Sequence, residues 1–271
     1  MDFAINYSPE AAGLLGAGQI ELDFFKTPPW PDMIAQADRL RPVRVHFNLH
    51  AGNPQLAQTD WGLIEDLLAN TATQFVNIHL LVKGKELPHI AIDHPPSDAE
   101  MRAVAARMLE NVQILCDRFG PERVIAENIP YRVGQGQDLR ACVEPWVIQQ
   151  VVEASGCGLL LDISHARIAA RALGLDEKAY IQALPVGQLR ELHFTGIHDW
   201  NGFWMDHLPI LAHDWPWLEW VMAQNGSAGW GEAEMLAFEY GGTGEFFSRF
   251  SDPQVMKTQV PQLYAACHVQ G

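Results

Sequence analysis

The chain has 271 residues, of which 48% are hydrophobic and 19% charged, the composition of a globular protein long enough to bury a sizeable core. Its 33 acidic residues outnumber its 18 lysines and arginines, so the net charge of −15 argues against a nucleic-acid partner, which normally meets a basic face. No window reaches the ~18 consecutive apolar residues of a membrane helix, and the N-terminal MDFAINYSPE lacks a signal-peptide core, so we expect a cytoplasmic protein with no membrane partner.

Short apolar segments alternate with segments of helical spacing along the chain. The clearest helix begins at Ser97, which forms a capping box with Glu100, and ends at Gly120. A second helix ends at Gly156. The strand candidates are residues 3–7, 19–24, 43–47, 75–81, 123–128, 158–163, 189–194 and 235–240.

Eight strands that alternate with helices in a chain of this length are typical of an α/β barrel. The competing fold, a doubly wound open sheet, would carry a phosphate-binding GxGxxG loop after its first strand. The glycines of SPEAAGLLGAG do not fit that motif. We therefore predict a (β/α)8 TIM barrel, formed as a single domain by residues 1–271.

The third to the eighth strand candidates each carry His, Asp or Glu within two residues of their end. In a barrel of parallel strands these ends meet at one mouth, where carboxylates without a counter-ion would be costly. Few basic residues lie nearby in the sequence, chiefly Lys83 and Arg132, so divalent metal ions are the simplest shared counter-ion. Imidazole and carboxylate ligands suit iron, zinc or manganese. The residues at the strand ends and in the loops beyond them are His46, His50, His79, Glu127, Asn128, Asp162, His165, His193, His198, Asp199, Asp206, His207 and Glu239.

The segment GLLLDISHARIAA admits two interpretations. Taken alone, Asp162 caps the following helix and His165 is exposed. Taken with the other strand ends, Asp162 points into the mouth, and His165 lies on the first turn of the loop beyond, close enough to share the same metal cluster. The second interpretation is favoured because five other strands end in the same way.

These residues resemble those of the xylose isomerase-like TIM-barrel superfamily, which includes endonuclease IV and sugar epimerases. The stretch DISHA resembles the D-x-x-H-A stretch of endonuclease IV, and DHLPI resembles the segment that follows the strand-seven His in many members. The resemblance implies that one metal is held, as in the epimerases, by Glu127, Asp162, His193 and Glu239. It also implies additional ligands, as in the multi-metal members, at His46, His79 and His165.

A narrower resemblance covers residues 146–200, which are similar throughout to the multinuclear non-heme iron-dependent oxidative enzymes. That family modifies residues, notably cysteine, in ribosomally made peptides. The stretches AEN, GCGLLLD and LPVGQLRELH fit it. The resemblance implies two or three divalent metal ions per chain (Fe, Zn or Mn) and a small-molecule or peptide substrate, and it allows for a recognition partner protein.

The chain departs from that family at two places. His165 stands where the family usually has Asn, and Asp206 and His207 are adjacent where the family has D-x-H. The second departure leaves open which of the two is a ligand and whether a third metal site is intact.

Four functions compete. The first is an oxidative enzyme with two or three irons, and the second is a sugar isomerase or epimerase with one metal, in which Glu127 and Glu239 act as catalytic ligand-bases. The third is a zinc phosphoesterase resembling endonuclease IV, and the fourth is a non-enzymatic binding barrel. One metal would make three histidines superfluous, so we expect a di- or trinuclear site with Asp206 and His207 among its ligands, and oxidative chemistry. Candidate substrate-binding residues are Asn128, Arg132, His198 and Trp200.

Overall fold

The computed structural model describes residues 1–242 and 247–268. Its strands are β1 (Asp2–Asn6), β2 (Phe24–Thr27), β3 (Val43–Val45), β4 (Val76–His79), β5 (Val124–Glu127), β6 (Gly158–Asp162), β7 (Leu189–Phe194), β8 (Gly196–Trp200), β9 (Phe203–Leu208) and β10 (Met235–Phe238). Its α-helices are α1 (Pro9–Gly16), α2 (Pro31–Asp38), α3 (Trp61–Asn70), α4 (Asp98–Phe119), α5 (Pro145–Ser155), α6 (Ile163–Leu173), α7 (Glu177–Ala183), α8 (Trp215–Gln224) and α9 (Pro253–His268).

Eight strands form one parallel sheet in the order β3-β2-β1-β10-β7-β6-β5-β4. Its two end strands are joined by a parallel bridge between His50 and His79. The carboxamide of Asn77 strengthens this seam, because its Oδ1 accepts the N–H of Phe47 at 2.7 Å. The sheet therefore curls round on itself with helices outside it, and the predicted (β/α)8 barrel is confirmed.

The second strand lies later in the chain than the sequence indicates. Residues 19–23 connect α1 to β2 instead, and the side chains of Ile20 and Leu22 are buried in that connection. Their apolar character thus reflects packing rather than a strand. The observed strand ends at Lys26 and Thr27, which consequently face the barrel mouth region.

The two strongest helix predictions are confirmed. Ser97 and Glu100 form the capping box of α4, and Gly120 ends it with a φ of 86°. Gly156 ends α5 in the left-handed conformation, with a φ of 72°. Left-handed backbone suits glycine because it has no Cβ to clash.

Strands β8 and β9 form an antiparallel hairpin where a loop is predicted. The hairpin turn is Asn201–Gly202, and both residues have positive φ, 55° and 87°. An Asn-Gly pair between apolar segments is a hairpin signal, because this turn needs two left-handed residues. The hairpin follows β7 and carries Asp206 and His207 to the mouth.

Within the part of the chain that the structure describes, no helix has both the length and the apolar character needed to cross a membrane.

Candidate metal centre

The nine predicted metal ligands lie together at the carboxyl ends of the strands. Their ligand atoms form four groups, three of which share residues, and within each group the atoms lie within 4.8 Å of one another. The groups are His46–His79–Glu127, His46–His193–Glu239, Glu127–Asp162–His193 and His165–Asp206–His207.

Glu127 lies at the centre of the first group. Its Oε2 is 3.4 Å from His46 Nε2 and 3.2 Å from His79 Nε2. The other ring nitrogen of His79, Nδ1, donates to the carbonyl oxygen of Leu49 at 3.1 Å. This bond fixes the tautomer of the ring and leaves Nε2 as the free ligand atom.

His193 joins the second and third groups. Its Nδ1 is 3.0 Å from Glu239 Oε1 and 3.8 Å from Glu127 Oε1. Its Nε2 lies 2.7 Å from Glu191 Oε1, a buried carboxylate that also contacts the ammonium group of Lys26 at 2.5 Å. A carboxylate behind a ligating imidazole orients the ring and raises its basicity.

Asp162 both caps a helix and lies among the candidate ligands, two roles that its sequence context presents as alternatives. Asp162 Oδ1 accepts the backbone N–H of His165 at 2.7 Å, so Asp162 does cap α6. His165 is nevertheless buried, on the first turn of that helix rather than on a loop. Its Nε2 lies 3.6 Å from Asp162 Oδ2.

The carboxylates hold protons on two of the imidazoles in the metal-free protein. Burial lowers the pKa of His165, but Asp162 and Asp206 outweigh it and raise this pKa to about 10. Burial likewise lowers the pKa of His193, whereas Glu239 and Glu191 raise it to about 9. The cluster thus supplies part of its own counter-charge when no metal is bound.

The pKa values of two acidic partners, Glu191 and Glu239, are lowered. Burial raises the pKa of Glu191, but the charge of Lys26 outweighs it and lowers this pKa to about 2. The pKa of Glu239 is well below its ordinary value, since burial is outweighed by the neighbouring His193. The pKa of Asp162 is raised instead, because the effect of burial exceeds that of the neighbouring His165 and His193.

Four buried atoms of the candidate ligand residues have no hydrogen-bond partner in good geometry, namely His46 Nδ1, Glu127 Oε2, His193 Nδ1 and Asp206 Oδ2. Buried polar atoms without a partner are rare and costly, so a ligand at these atoms would remove the cost. The donor set is imidazole nitrogen and carboxylate oxygen without thiolate, which suits iron, zinc or manganese. The residues present therefore fit a cluster of divalent metal ions.

The mouth encloses a cavity of ≈ 500 Å³ next to the candidate ligands. One wall carries six of the nine ligand residues. The other lining residues come mainly from the ends of β1 and β2 and from the segment before α2, where Trp30 is 49% exposed. The lining residues include His46, His79, Glu127, His165, His207, Glu239, Asn6, Tyr7, Lys26, Thr27, Pro28, Pro29, Trp30 and Asn48.

The four predicted substrate-binding residues are not among the residues that line this cavity. Asn128 is fully buried, and its carboxamide bonds twice to the backbone of Asp162. His198 Nε2 donates to the carbonyl oxygen of Pro209 at 2.7 Å. Their roles in substrate binding stay predictions.

Arg132 and Trp200 also have structural partners. Arg132 Nη2 lies 3.1 Å from Asp206 Oδ1, and its Nε donates to the carbonyl oxygen of Trp204. Trp200 is 41% exposed and packs edge-on against Phe250, with ring centroids 5.6 Å apart. Arg132 thus bridges the loop after β5 to the hairpin.

Lys26 and Glu191 are the residues that the sequence analysis misses. Lys26 is not predicted as a site residue because the second strand is predicted to end at residue 24, two residues before it. Glu191 precedes His193 by two positions in LRELHF, so strand alternation places both on one face of β7. That spacing is the signal that could have identified Glu191.

The fold and the clustered ligands define the class of this protein: a (β/α)8 TIM barrel with a candidate metal centre at its mouth. The family model described as "RiPP precursor modification enzyme MbnB/TglH/ChrH" matches residues 24–229. The match covers most of the chain, so the chain belongs to this family, and the resemblance seen in its sequence is confirmed.

Relatives in sequence are UPF0276 proteins. The chain is 26% identical over 171 residues to one from Anaeromyxobacter sp. (strain Fw109-5), a match that covers 61% of the chain and 57% of the relative. It is 36% identical over 67 residues to one from Paraburkholderia phytofirmans (strain DSM 17436 / LMG 22146 / PsJN), covering 25% of the chain and 22% of the relative. The chain thus matches little more than half the length of one and less than a quarter of the other.

Similar solved structures include enzymes of two reaction classes. A D-psicose 3-epimerase solved in the presence of D-fructose has a TM-score of 0.59 at 12% identity, with both chains covered completely. The IOLI protein with a bound zinc atom has a TM-score of 0.58 at 11% identity, again over both whole chains. A family 2 AP endonuclease from Brucella melitensis has a TM-score of 0.54 at 16% identity, covering 93% of this chain and 97% of that one. At these identities the likeness concerns the fold alone.

Proposed function

We propose that this protein is an oxidative enzyme that modifies a peptide with two or three iron ions bound at the barrel mouth. One observation carries the proposal: nine candidate ligands form four groups linked in part through His46, Glu127 and His193. A single ion takes four to six ligands, so nine are more than one ion can use. The family match to enzymes that modify peptide precursors supports a peptide substrate.

Bound iron would supply what this chain's side chains lack, a centre that exchanges electrons with oxygen and with the substrate. The chain supplies ligands, their orientation and a partly closed cavity. Glu127, His79 and His46 would hold one ion, while Asp162, His193 and Glu239 would hold a second ion that shares Glu127. Glu127 and Glu239 line the cavity, and Glu239, which would hold one ion only, keeps a carboxylate oxygen that can accept a proton from the substrate.

The competing functions have less support. A one-metal epimerase leaves His165, Asp206 and His207 without a role. A phosphoesterase would gain from a free cation at the substrate. Among the described residues that line the cavity, however, Lys26 is the only lysine or arginine, and its ammonium group is already paired with Glu191.

The cavity also bears on the kind of substrate. Its volume of ≈ 500 Å³ can take a few residues of a peptide but not a whole precursor. The rest of the peptide would lie across the rim or on a recognition partner protein.

The proposal is tested by comparing iron-dependent modification of peptides with interconversion of sugars. The protein is loaded anaerobically with Fe(II), mixed with short cysteine-containing peptides, and exposed to air, and the products are followed by mass spectrometry. We expect a mass change that requires both iron and oxygen and that disappears in Glu127→Ala. Interconversion of ketohexoses by the manganese-loaded protein without oxygen, and no change in any peptide, would favour the epimerase instead.

A further inference from the structure

The connection between β2 and α2 contains three prolines around one tryptophan. Pro28, Pro29 and Trp30 form a segment that we call the 28–30 segment, and Pro31 begins α2. A proline fixes its own φ and restricts the residue before it to extended backbone. Trp30 accordingly has an extended backbone, with a φ of −107° and a ψ of 110°.

Hydrogen bonds hold the backbone of Trp30 on both sides. Its N–H donates to the carbonyl oxygen of Pro28 at 2.7 Å, and its own carbonyl oxygen accepts the N–H of Ile34 at 3.0 Å. Ile34 and Ala37 are buried, so α2 is packed against the barrel. The backbone that carries the Trp30 ring therefore has little freedom to move.

The ring of Trp30 is nevertheless open to solvent. The residue is 49% exposed, more than any other of the nine tryptophans. A large aromatic ring on a fixed backbone offers contact area to a ligand and loses little conformational entropy on binding, which is why tryptophan is enriched where binding energy is concentrated. The 28–30 segment thus has the properties of a preformed binding surface.

Trp30 lines the same cavity as the candidate ligands Glu127 and Glu239. A sphere of ≈ 500 Å³ is about 10 Å across, and an extended peptide rises about 3.3 Å per residue, so about three residues span the cavity. A peptide whose reacting residue lies at the metal centre therefore places the side chain of a residue one or two positions away at the 28–30 segment.

The surroundings of the 28–30 segment favour an uncharged side chain. Among the described lining residues outside the nine candidate ligands, Lys26 is the only charged one, and its ammonium group is already paired with Glu191. An ionic side chain would lose water here without gaining a counter-ion. An aromatic side chain would instead stack on Trp30 and pack against the two proline rings.

We propose that the 28–30 segment is a specificity subsite for an aromatic side chain of the peptide substrate, one or two positions from the reacting residue, and that Trp30 determines this preference. The proposal rests on the proposed function and adds to it which neighbouring residue the enzyme selects. Trp30 touches the substrate but takes no part in making or breaking a bond.

The test measures binding of short peptides to the Fe(II)-loaded protein without oxygen, by isothermal titration calorimetry. Each probe is capped at both ends and contains one Cys, one variable residue placed one or two positions before or after it, and Gly elsewhere. The variable residue is Phe, Ala or Lys. For the best of the four placements we expect the Phe peptide to bind the wild type about tenfold more tightly than the Ala peptide, because a stacked ring pair adds to the burial of the Phe ring itself.

The variants are compared by the ratio of the two peptide affinities, which cancels any general loss of metal or stability. Trp30→Ala and Trp30→Gln should bring the ratio close to one, and Trp30→Phe should keep most of it. Trp146→Ala is the matched control, because Trp146 is 39% exposed and also follows a proline at the start of a helix, but does not line the cavity. Its ratio should equal that of the wild type.

The outcomes separate this proposal from the proposed function. Equal affinities of the wild type for the Phe and Ala peptides at all four placements, or a preference that persists in Trp30→Ala and Trp30→Gln, overturn the subsite and leave the proposed function standing. Tighter binding of the Lys peptides than of the Phe peptides overturns its aromatic chemistry. A wild type that binds none of the peptides overturns both proposals.

Discussion

Lys26 Nζ lies 2.5 Å from Glu191 Oε1, and both side chains are buried inside the barrel. The same carboxylate oxygen lies 2.7 Å from His193 Nε2. Glu191 therefore turns the ring of His193 so that Nδ1 faces Glu239, and Lys26 offsets the negative charge of Glu191. The pair is a support for the candidate metal centre that contributes no ligand of its own.

Removing Lys26 should destabilise the protein strongly. Lys26→Met removes one partner of a buried ion pair and leaves Glu191 with His193 alone, and loss of one such partner typically costs about 3–5 kcal/mol. The double variant Lys26→Met/Glu191→Gln removes both charges and should recover most of that free energy of unfolding, measured by urea denaturation. Arg118→Met is the control, because its pair with Glu65 is exposed and should be worth less than about 1 kcal/mol. Equal losses in Lys26→Met and Arg118→Met would contradict the role of the pair.

The ligand role of Asp162 can be separated from its capping role. Asp162→Asn keeps an oxygen that accepts the His165 N–H, so α6 should remain capped, but an amide is a poorer metal ligand than a carboxylate. We expect bound metal to fall sharply with little change in melting temperature. Asp176→Asn is the control, since Asp176 caps α7 in the same way and is in no ligand group. Unchanged metal content in Asp162→Asn would remove Asp162 from the site.

The other ligands of the linked groups should behave like Asp162. His193→Ala and Glu239→Ala are each expected to lower bound metal while the chain stays folded, because both residues contribute to the His46–His193–Glu239 group. Elemental analysis of the purified variants measures this, with circular dichroism as the folding check. If both variants keep the wild-type metal content, the assignment of this group is wrong.

Metal loading should release protons. The pKa values of about 10 for His165 and about 9 for His193 keep both imidazoles protonated at pH 7.5, and an imidazole binds metal only after losing that proton. We expect close to two protons per chain on saturation, measured by titration in weakly buffered solution. His165→Ala should release about one fewer. Release of no protons by the wild type at that pH would show that these rings are not ligands.

The metal-free protein should become less stable as pH rises. Between the ordinary His pKa of 6.5 and the folded values of about 9 and 10, the folded chain binds protons on these two rings that the unfolded chain does not. The free energy of unfolding should therefore fall by about 1.4 kcal/mol per pH unit for each ring. Urea denaturation of chelator-treated protein between pH 7 and pH 8.5 measures the slope, and metal-loaded protein should show a much smaller one. A stability that rises with pH in the metal-free protein would contradict the charge assignment.

The candidate ligands are predictable from the sequence because the carboxyl ends of all strands in a parallel barrel lie at the same face. Once eight strands are recognised, the residues near the end of each must lie at the same mouth, so Glu127, Asp162, His193 and Glu239 follow from approximate strand boundaries and from their ligand chemistry. The error at β2 shows the limit of this reasoning. Ile20 and Leu22 are apolar because they pack in a connection, and the misplaced boundary hides Lys26.

The arrangement of Asp206 and His207 could not be predicted in the same way. It depends on a bulge between β8 and β9 and on the left-handed backbone of His207. The backbone of His207 is held there by hydrogen bonds to Thr195 and Gly241. These partners are not neighbours of residue 207 in the sequence, so no local pattern reveals them. The hairpin itself had a local signal in Asn201–Gly202.

The iron content of the protein, purified without oxygen after expression in iron-rich medium, tests the central claim most directly. The account predicts two or three iron ions per chain, with Mössbauer spectra that resolve more than one iron environment. A single ion per chain of any metal, in a protein whose nine candidate ligands are intact, would contradict a multinuclear centre.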